Sequence, residues 1–269
     1  MCKQYLTDFH MHTEYSPDSD SPMLNMCNAA VKSGMKEIAI TDHVEMTAFY
    51  SKAYDKTIAL SFEQAGEMKK LFEGRLEIAR GVELGEPLQG LEETELLLAS
   101  HQFDFVLGSL HNLKNESDFY YYDYSGKDVT AMMDRYFSEL LEMVEWGRFH
   151  SLAHLTYPFR YMAKNLYPAD YRTWWDKIDN VLLALIKKGI ALEINTSGLR
   201  QDMGKTIPDP LIICRFRELG GERVTIGSDA HTPGNVGQNI EDGIVVAKQA
   251  GFEYITVFHK GSPKMIKIN

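Results

Sequence analysis

Cysteine is scarce in this sequence. There are three in 269 residues, Cys2, Cys27 and Cys214, and no C-x-x-C pair. That excludes a disulfide-stapled scaffold and fits a reducing compartment. Long apolar runs are missing too: the longest, Val181–Ile186, falls far short of the roughly 20 residues of a membrane span. The first residues, Met1 to Asp8, contain no apolar signal core. Together these absences lead us to expect a soluble cytoplasmic protein. Basic residues are outnumbered 28 to 38, a net charge of −10, which argues against a nucleic-acid or anionic-membrane surface. An anionic substrate stays open, because bound metal ions reverse the local field. There is no G-x-S-x-G elbow and no H-E-x-x-H helix. Gly204-Lys205-Thr206 imitates the end of a phosphate loop, but the upstream glycine is misplaced and Ile207-Pro208-Asp209-Pro210 blocks the required helix.

What is present is an alternation of short apolar runs with longer amphipathic ones. The composition, 44% hydrophobic and 25% charged, is that of a globular domain. Strands are expected at Tyr5–His10, Lys36–Thr41, Leu76–Leu84, Phe103–His111, Ser151–Leu155, Ile190–Asn195 and Val224–Ser228, with Tyr254–Phe258 as a short last one. Most are continuous apolar runs, as strands covered on both faces should be. Helices are expected between them. Ser21-Pro22 opens one that stops at Gly34, and Ser61-Phe62-Glu63-Gln64 matches a capping box. Val129 to Val144 and Trp174 to Leu185 repeat their apolar residues at helical spacing. Segments near Leu91–His101, Pro210–Leu219 and Asn239–Ala250 complete the set. Successive strand-to-helix units predict a parallel sheet with crossover helices. We see no linker, so residues 1–269 read as one domain.

The polar residues fall at the carboxyl ends of these strands. Asp8, His10 and His12 end the first, Asp42 and His43 the second, Glu83 the third and His111 the fourth. His154 ends the fifth, Glu193 and Asn195 the sixth, and Asp229 and His231 the seventh. A closed barrel gathers all such ends on one face, whereas an open sheet spreads them along a line, so the distribution favours a barrel. A lone histidine after a strand is ordinarily just a satisfied polar residue. Asp18 and Asp42 also read as turn formers or helix caps. Seven successive strand ends of this kind are what the ordinary reading explains badly. Imidazole with carboxylate suits Zn, Fe or Mn. Nine candidates, His10, His12, Asp18, His43, Glu83, His111, His154, Asp229 and His231, are too many for one ion and imply two or three sharing a carboxylate.

Asp8-Phe9-His10-Met11-His12, Thr41-Asp42-His43, Gly81-Val82-Glu83, Ser109-Leu110-His111 and Gly227-Ser228-Asp229-Ala230-His231 resemble the motifs of the polymerase and histidinol phosphatase (PHP) family. Ser109 to Asn112, His154 to Arg160 and Glu193 to Arg200 look like its monofunctional histidinol-phosphate phosphatases. The resemblance implies a distorted (β/α)7 barrel with a trinuclear site. One ion would take His10, His12, Glu83 and Asp229; a second, Glu83, His111 and His154; a third, Asp18, His43 and His231. Several relatives have histidine at the Asp18 position. The implied reaction is hydrolysis of L-histidinol phosphate by a metal-bridging hydroxide, with no covalent phosphoenzyme. Asp229, Asp42 and His231 are the candidate catalytic residues, with Asp42 also a candidate for orienting a neighbouring histidine. Arg160 and Arg200 follow strand ends and are expected to clamp phosphate. Asn195 is expected to touch substrate, or with Glu193 to support a ligand. The aromatic run Phe119 to Tyr124 either covers the mouth or packs as an ordinary loop. Other readings are a phosphotyrosine phosphatase, a nuclease-like phosphoesterase, or a metal-binding scaffold without activity.

Overall fold

The computed structural model describes residues 4–164, 170–201 and 203–269; Cys2 lies outside them. The first eight strands are β1 (Thr7–Asp8), β2 (Glu37–Ile40), β3 (His43–Glu45), β4 (Glu77–Gly85), β5 (Phe105–Ser109), β6 (Ser151–Leu152), β7 (Ala191–Asn195) and β8 (Val224–Gly227). All pair in parallel, in the order β1-β2-β4-β5-β6-β7-β8. β3 takes over from β2 along the second half of β4: Glu37 to Ile40 pair with Glu77 to Arg80, and His43 to Glu45 pair with Glu83 to Gly85. The ring nearly closes where the chain after β1 meets β8. There the Phe9 amide donates to Ile226 O at 2.9 Å and the Asp229 amide to His10 O at 2.8 Å. This is the distorted seven-stranded barrel expected from the sequence.

The helices are α1 (Met23–Lys32), α2 (Tyr54–Leu71), α3 (Leu91–Ser100), α4 (Val129–Trp146), α5 (Tyr157–Lys164), α6 (Trp175–Lys188), α7 (Pro210–Glu218) and α8 (Ile240–Gln249). α4 buries Met132, Met133, Tyr136, Phe137, Leu140, Met143 and Val144 on one stripe. At about 1.5–3 kcal/mol for each large apolar side chain, that stripe outweighs any cap. Asp128 caps its start by accepting the Ala131 amide, and Gly147, in the left-handed region, ends it.

Three local expectations are corrected. Ser61 does not start a helix, because α2 begins at Tyr54; its hydroxyl, buried inside α2, donates instead to Asp42 Oδ2 at 2.6 Å. Ser21 does not cap α1. Its hydroxyl donates to His231 O, while Glu14 accepts the Met23 amide in its place. Tyr254–Phe258 does not join the parallel sheet. It lies within β9 (Tyr254–His259), which pairs antiparallel with β10 (Ser262–Lys267). Val257 and Phe258 of that hairpin pack with Phe9, Ala39, Ala79, Phe105, Leu107, Ala153 and Ala191. The alanines leave room for the rings: Phe105 lies 5.2 Å from Phe9 and 5.3 Å from Phe258. The amino end of the barrel is therefore filled by hydrocarbon.

Candidate metal centre

At the opposite end the inward positions turn polar. In a strand, side chains two apart share a face. Along β4 the alternate positions read Ala79, Gly81, Glu83, Gly85; along β5, Phe105, Leu107, Ser109 and, just beyond, His111. Each line runs from hydrocarbon to ligand. β6 and β8 end differently. His154 (φ 22°) and Asp229 (φ 54°) adopt left-handed backbone that non-glycine residues rarely take. Both are pinned there: the His154 amide donates to Glu193 Oε2 at 2.8 Å, and Asp229 O accepts from Arg200 Nη2 at 2.8 Å.

All nine ligand candidates converge. Glu83 sits at the centre, fully buried. Its Oε2 lies 3.2 Å from His10 Nε2 and 3.5 Å from His12 Nε2, with Asp229 Oδ1 3.8 and 3.6 Å from the same two nitrogens. Its Oε1 lies 3.2 Å from His111 Nε2 and 3.0 Å from His154 Nε2. Asp18 Oδ2 reaches His231 Nε2 at 3.0 Å and His43 Nε2 at 3.6 Å. Asp18 is also the most open of the set, with its side chain 53% exposed.

Hydrogen bonds on the far side of four of the rings set their tautomers. His10 Nδ1 faces Glu193 Oε1 at 2.7 Å. His12 Nδ1 faces the Ser16 hydroxyl at 3.1 Å, and that hydroxyl donates its own proton to Asp42 at 2.8 Å. His111 Nδ1 faces Glu45 at 3.1 Å, and His231 Nδ1 faces Asp229 O at 3.1 Å. With Nδ1 donating and the rings neutral, each of these four Nε2 atoms turns a lone pair inward. His10 and His12 then point two lone pairs at each other across 3.1 Å, beside two carboxylates. Such a set of acceptors needs a cation. Two donors each about 2.1 Å from one tetrahedral ion would stand roughly 3.4 Å apart, so the spacing fits. Burial, reinforced by His231 and His43, holds His12 down at about 3, as a neutral ligand requires. Burial alone would raise Glu83 and Asp229; with His10 carrying a proton in place of an ion, its charge and that of its neighbours outweigh burial and hold both well below the ordinary carboxylate range.

The centre opens into a cleft of about 560 Å³ lined by Arg160, Asp118, Tyr120, Tyr121, Tyr157 and Tyr161 among others. Arg160 Nη1 lies 3.7 Å from Asp229 Oδ2 at its wall. Three expected residues stand elsewhere. Asp42 is buried behind His12, and its oxygens accept from Thr13 N, Thr13 Oγ1, Ser16 and Ser61, so it suits support of a histidine and not proton donation to a leaving group. Asn195 is fully buried, held by Glu193 and Ser197, and does not line the cleft. Arg200 turns its Nη2 to the Asp229 carbonyl and does not line the cleft, while its buried Nη1 has no hydrogen-bond partner among the described residues. The aromatic run divides its work: Phe119 and Tyr124 are buried, while Tyr120 and Tyr121 line the mouth. Sequence reasoning overlooked Glu45, Glu86 and Asp118. For Glu45 a signal existed, its spacing two residues after His43, which puts both side chains on one face of a strand.

The family model described as PHP domain matches residues 8–197, more than half of the chain. The chain belongs to the PHP family. Among curated PHP relatives, a probable histidinol-phosphatase of Thermotoga maritima is 32% identical over 94% of this chain and 95% of its own. The histidinol-phosphatase of Lactococcus lactis is 28% identical, covering 93% of each. The crystal structure of histidinol phosphate phosphatase from Lactococcus lactis, complexed with zinc, L-histidinol and phosphate, superposes with a TM-score of 0.84 at 24% identity, over 96% of this chain and 98% of that one. That likeness establishes the PHP barrel. Among the described residues no helix is long and apolar enough to cross a membrane.

Proposed function

We propose that this PHP chain is a metal-dependent phosphomonoesterase that hydrolyses L-histidinol phosphate to L-histidinol and phosphate. The observation that carries the reading is the inward set of imidazole lone pairs and carboxylates around Glu83, opening onto a cleft with a guanidinium at its wall. Near-full-length similarity to histidinol-phosphatases supports the substrate. His10, His12, Glu83 and Asp229 would hold one divalent ion, Glu83, His111 and His154 a second, and Asp18, His43 and His231 a third, as Zn, Fe or Mn. Ions there supply neutralisation of phosphate charge and a water acidic enough to attack near neutral pH. Arg160 offers two parallel N–H donors to phosphate oxygens. In this reading Asp229, whose Oδ2 lies beside Arg160 at the cleft wall, would relay a proton toward the leaving alkoxide. Asp118 and the surrounding tyrosines suit a cationic amine and an imidazole. An acidic mouth on a chain of net charge −10 disfavours nucleic acid and anionic membrane, and suits a small substrate in the cytoplasm.

A substrate panel tests this. Phosphate release is to be measured from histidinol phosphate, phosphotyrosine and a dinucleotide, with and without a chelator. The expected result is preference for histidinol phosphate, loss of release on chelation, and recovery with added Zn or Mn. Equal or faster release from phosphotyrosine or the dinucleotide would overturn the substrate, and release that survives chelation would overturn the metal dependence.

A further inference from the structure

We propose that Glu45 is a positioning residue that fixes one imidazole in each of two ion sites, His111 in the second and His43 in the third. The inference rests on the metal-centre reading above. Its origin is the strand register. β3 places Glu45 directly opposite Gly85, two residues beyond the His43–Glu83 pair, and Gly85 is in turn opposite Ser109 on β5. His111 lies two residues past Ser109, on the same face. A side chain at position 85 would separate Glu45 from His111. Glycine leaves that space empty, and a methyl built there would overlap the Glu45 carboxylate itself. Glu45 leans through the gap to face His111 Nδ1 with both oxygens, at 3.1 and 3.3 Å.

The same carboxylate serves its own strand. Glu45 Oε1 lies 3.0 Å from His43 Nδ1, which also has Glu83 Oε2 at 3.1 Å and is aligned with neither. His111 is held from behind as well. Glu86 Oε1 accepts its backbone amide at 2.5 Å, so Glu86 fixes the chain and Glu45 the ring. The remaining site has separate supports: Glu193 for His10, and Ser16 backed by Asp42 for His12. Removing the charge of Glu45 should therefore weaken two sites and spare the one built from His10, His12 and Asp229.

The test is zinc binding, measured by elemental analysis after dialysis and by competition with a chromophoric chelator, on wild type, Glu45→Gln and Gly85→Ala. Wild type is expected to hold three zinc ions. Glu45→Gln should keep one tightly and bind the other two roughly 10–100-fold more weakly, the usual effect of losing such a partner. Gly85→Ala, which displaces the carboxylate without removing it, should move the same two sites and stands in if Glu45→Gln does not fold. Three ions at wild-type affinity in either folded variant would overturn the inference. So would a raised KM for histidinol phosphate with unchanged zinc binding, which would make Glu45 a substrate contact. A wild type without zinc would overturn the metal centre itself, and this inference with it.

Discussion

The two ends of the barrel are built on the same inward positions and do opposite things with them. At the amino end Ala79, Phe105, Leu107 and Ala191 meet Phe258 in a packed hydrocarbon plug. At the carboxyl end, two to six residues along the same strands, Glu83, His111 and Glu193 stand in a fully buried set of charges and lone pairs. The difference teaches where the stability comes from. Burial of apolar area at the base and under the helices holds the fold, while the mouth gathers groups whose mutual proximity costs free energy without cations. Substitutions should therefore separate cleanly into those that remove ions and those that remove stability.

The largest separation is expected for His10→Ala or Glu83→Ala. Each should lower kcat/KM by several orders of magnitude together with the ion content, while the chain remains folded by circular dichroism. Full activity in either would break the comparison at the mouth. At the base, Phe258→Ala should destabilise by about 3–5 kcal/mol in denaturant unfolding, with the ion content per folded chain unchanged. Loss of ions without loss of stability there would show the two ends to be coupled.

A third prediction concerns a carboxyl group at the base. Glu37 on β2 is buried beside the Tyr5 hydroxyl and His259, and burial pushes it up to about 7. A raised carboxyl favours the folded state below its unfolded pKa and loses that advantage as pH rises toward 7. Glu37→Gln should then match wild type near pH 4.5 and exceed it in stability at pH 8, by on the order of 3 kcal/mol. Equal stability at both pH values would show that Glu37 ionises freely in the fold. The smallest effect is expected for Arg160→Ala. It should raise KM for histidinol phosphate by about tenfold, some 1.4 kcal/mol, with ion content and stability unchanged. An unchanged KM would remove Arg160 from phosphate binding.

The strand ends were legible because a buried parallel strand must be apolar along its length, so a histidine or acid at its end stands out. The barrel followed from their number. What stayed hidden lay one step behind the ligands. Asp42, Asn195 and Arg200 sit at the same strand ends as the true lining residues, and local spacing does not say which side chain turns toward the cavity and which turns back to brace it. β3 is three residues long and begins at His43, too short to stand out as a strand, so the role of Glu45 shows only once Gly85 is placed opposite it. Ser61 imitates a helix start because its neighbours fit a capping box, yet it lies inside α2 and its hydroxyl is held by Asp42, 19 residues away in the chain. β10 shows Lys264 and Lys267 to solvent at an edge, and the Lys260-Gly261 turn, both residues at positive φ, was the signal for its hairpin.

The central claim is that one cage at the barrel mouth holds several cations. Anomalous diffraction at the zinc edge, from crystals grown with zinc, tests it directly. The account predicts three peaks: one among His10, His12, Glu83 and Asp229, one among Glu83, His111 and His154, and one among Asp18, His43 and His231. No peak within reach of Glu83, with zinc found only at surface residues, would contradict it.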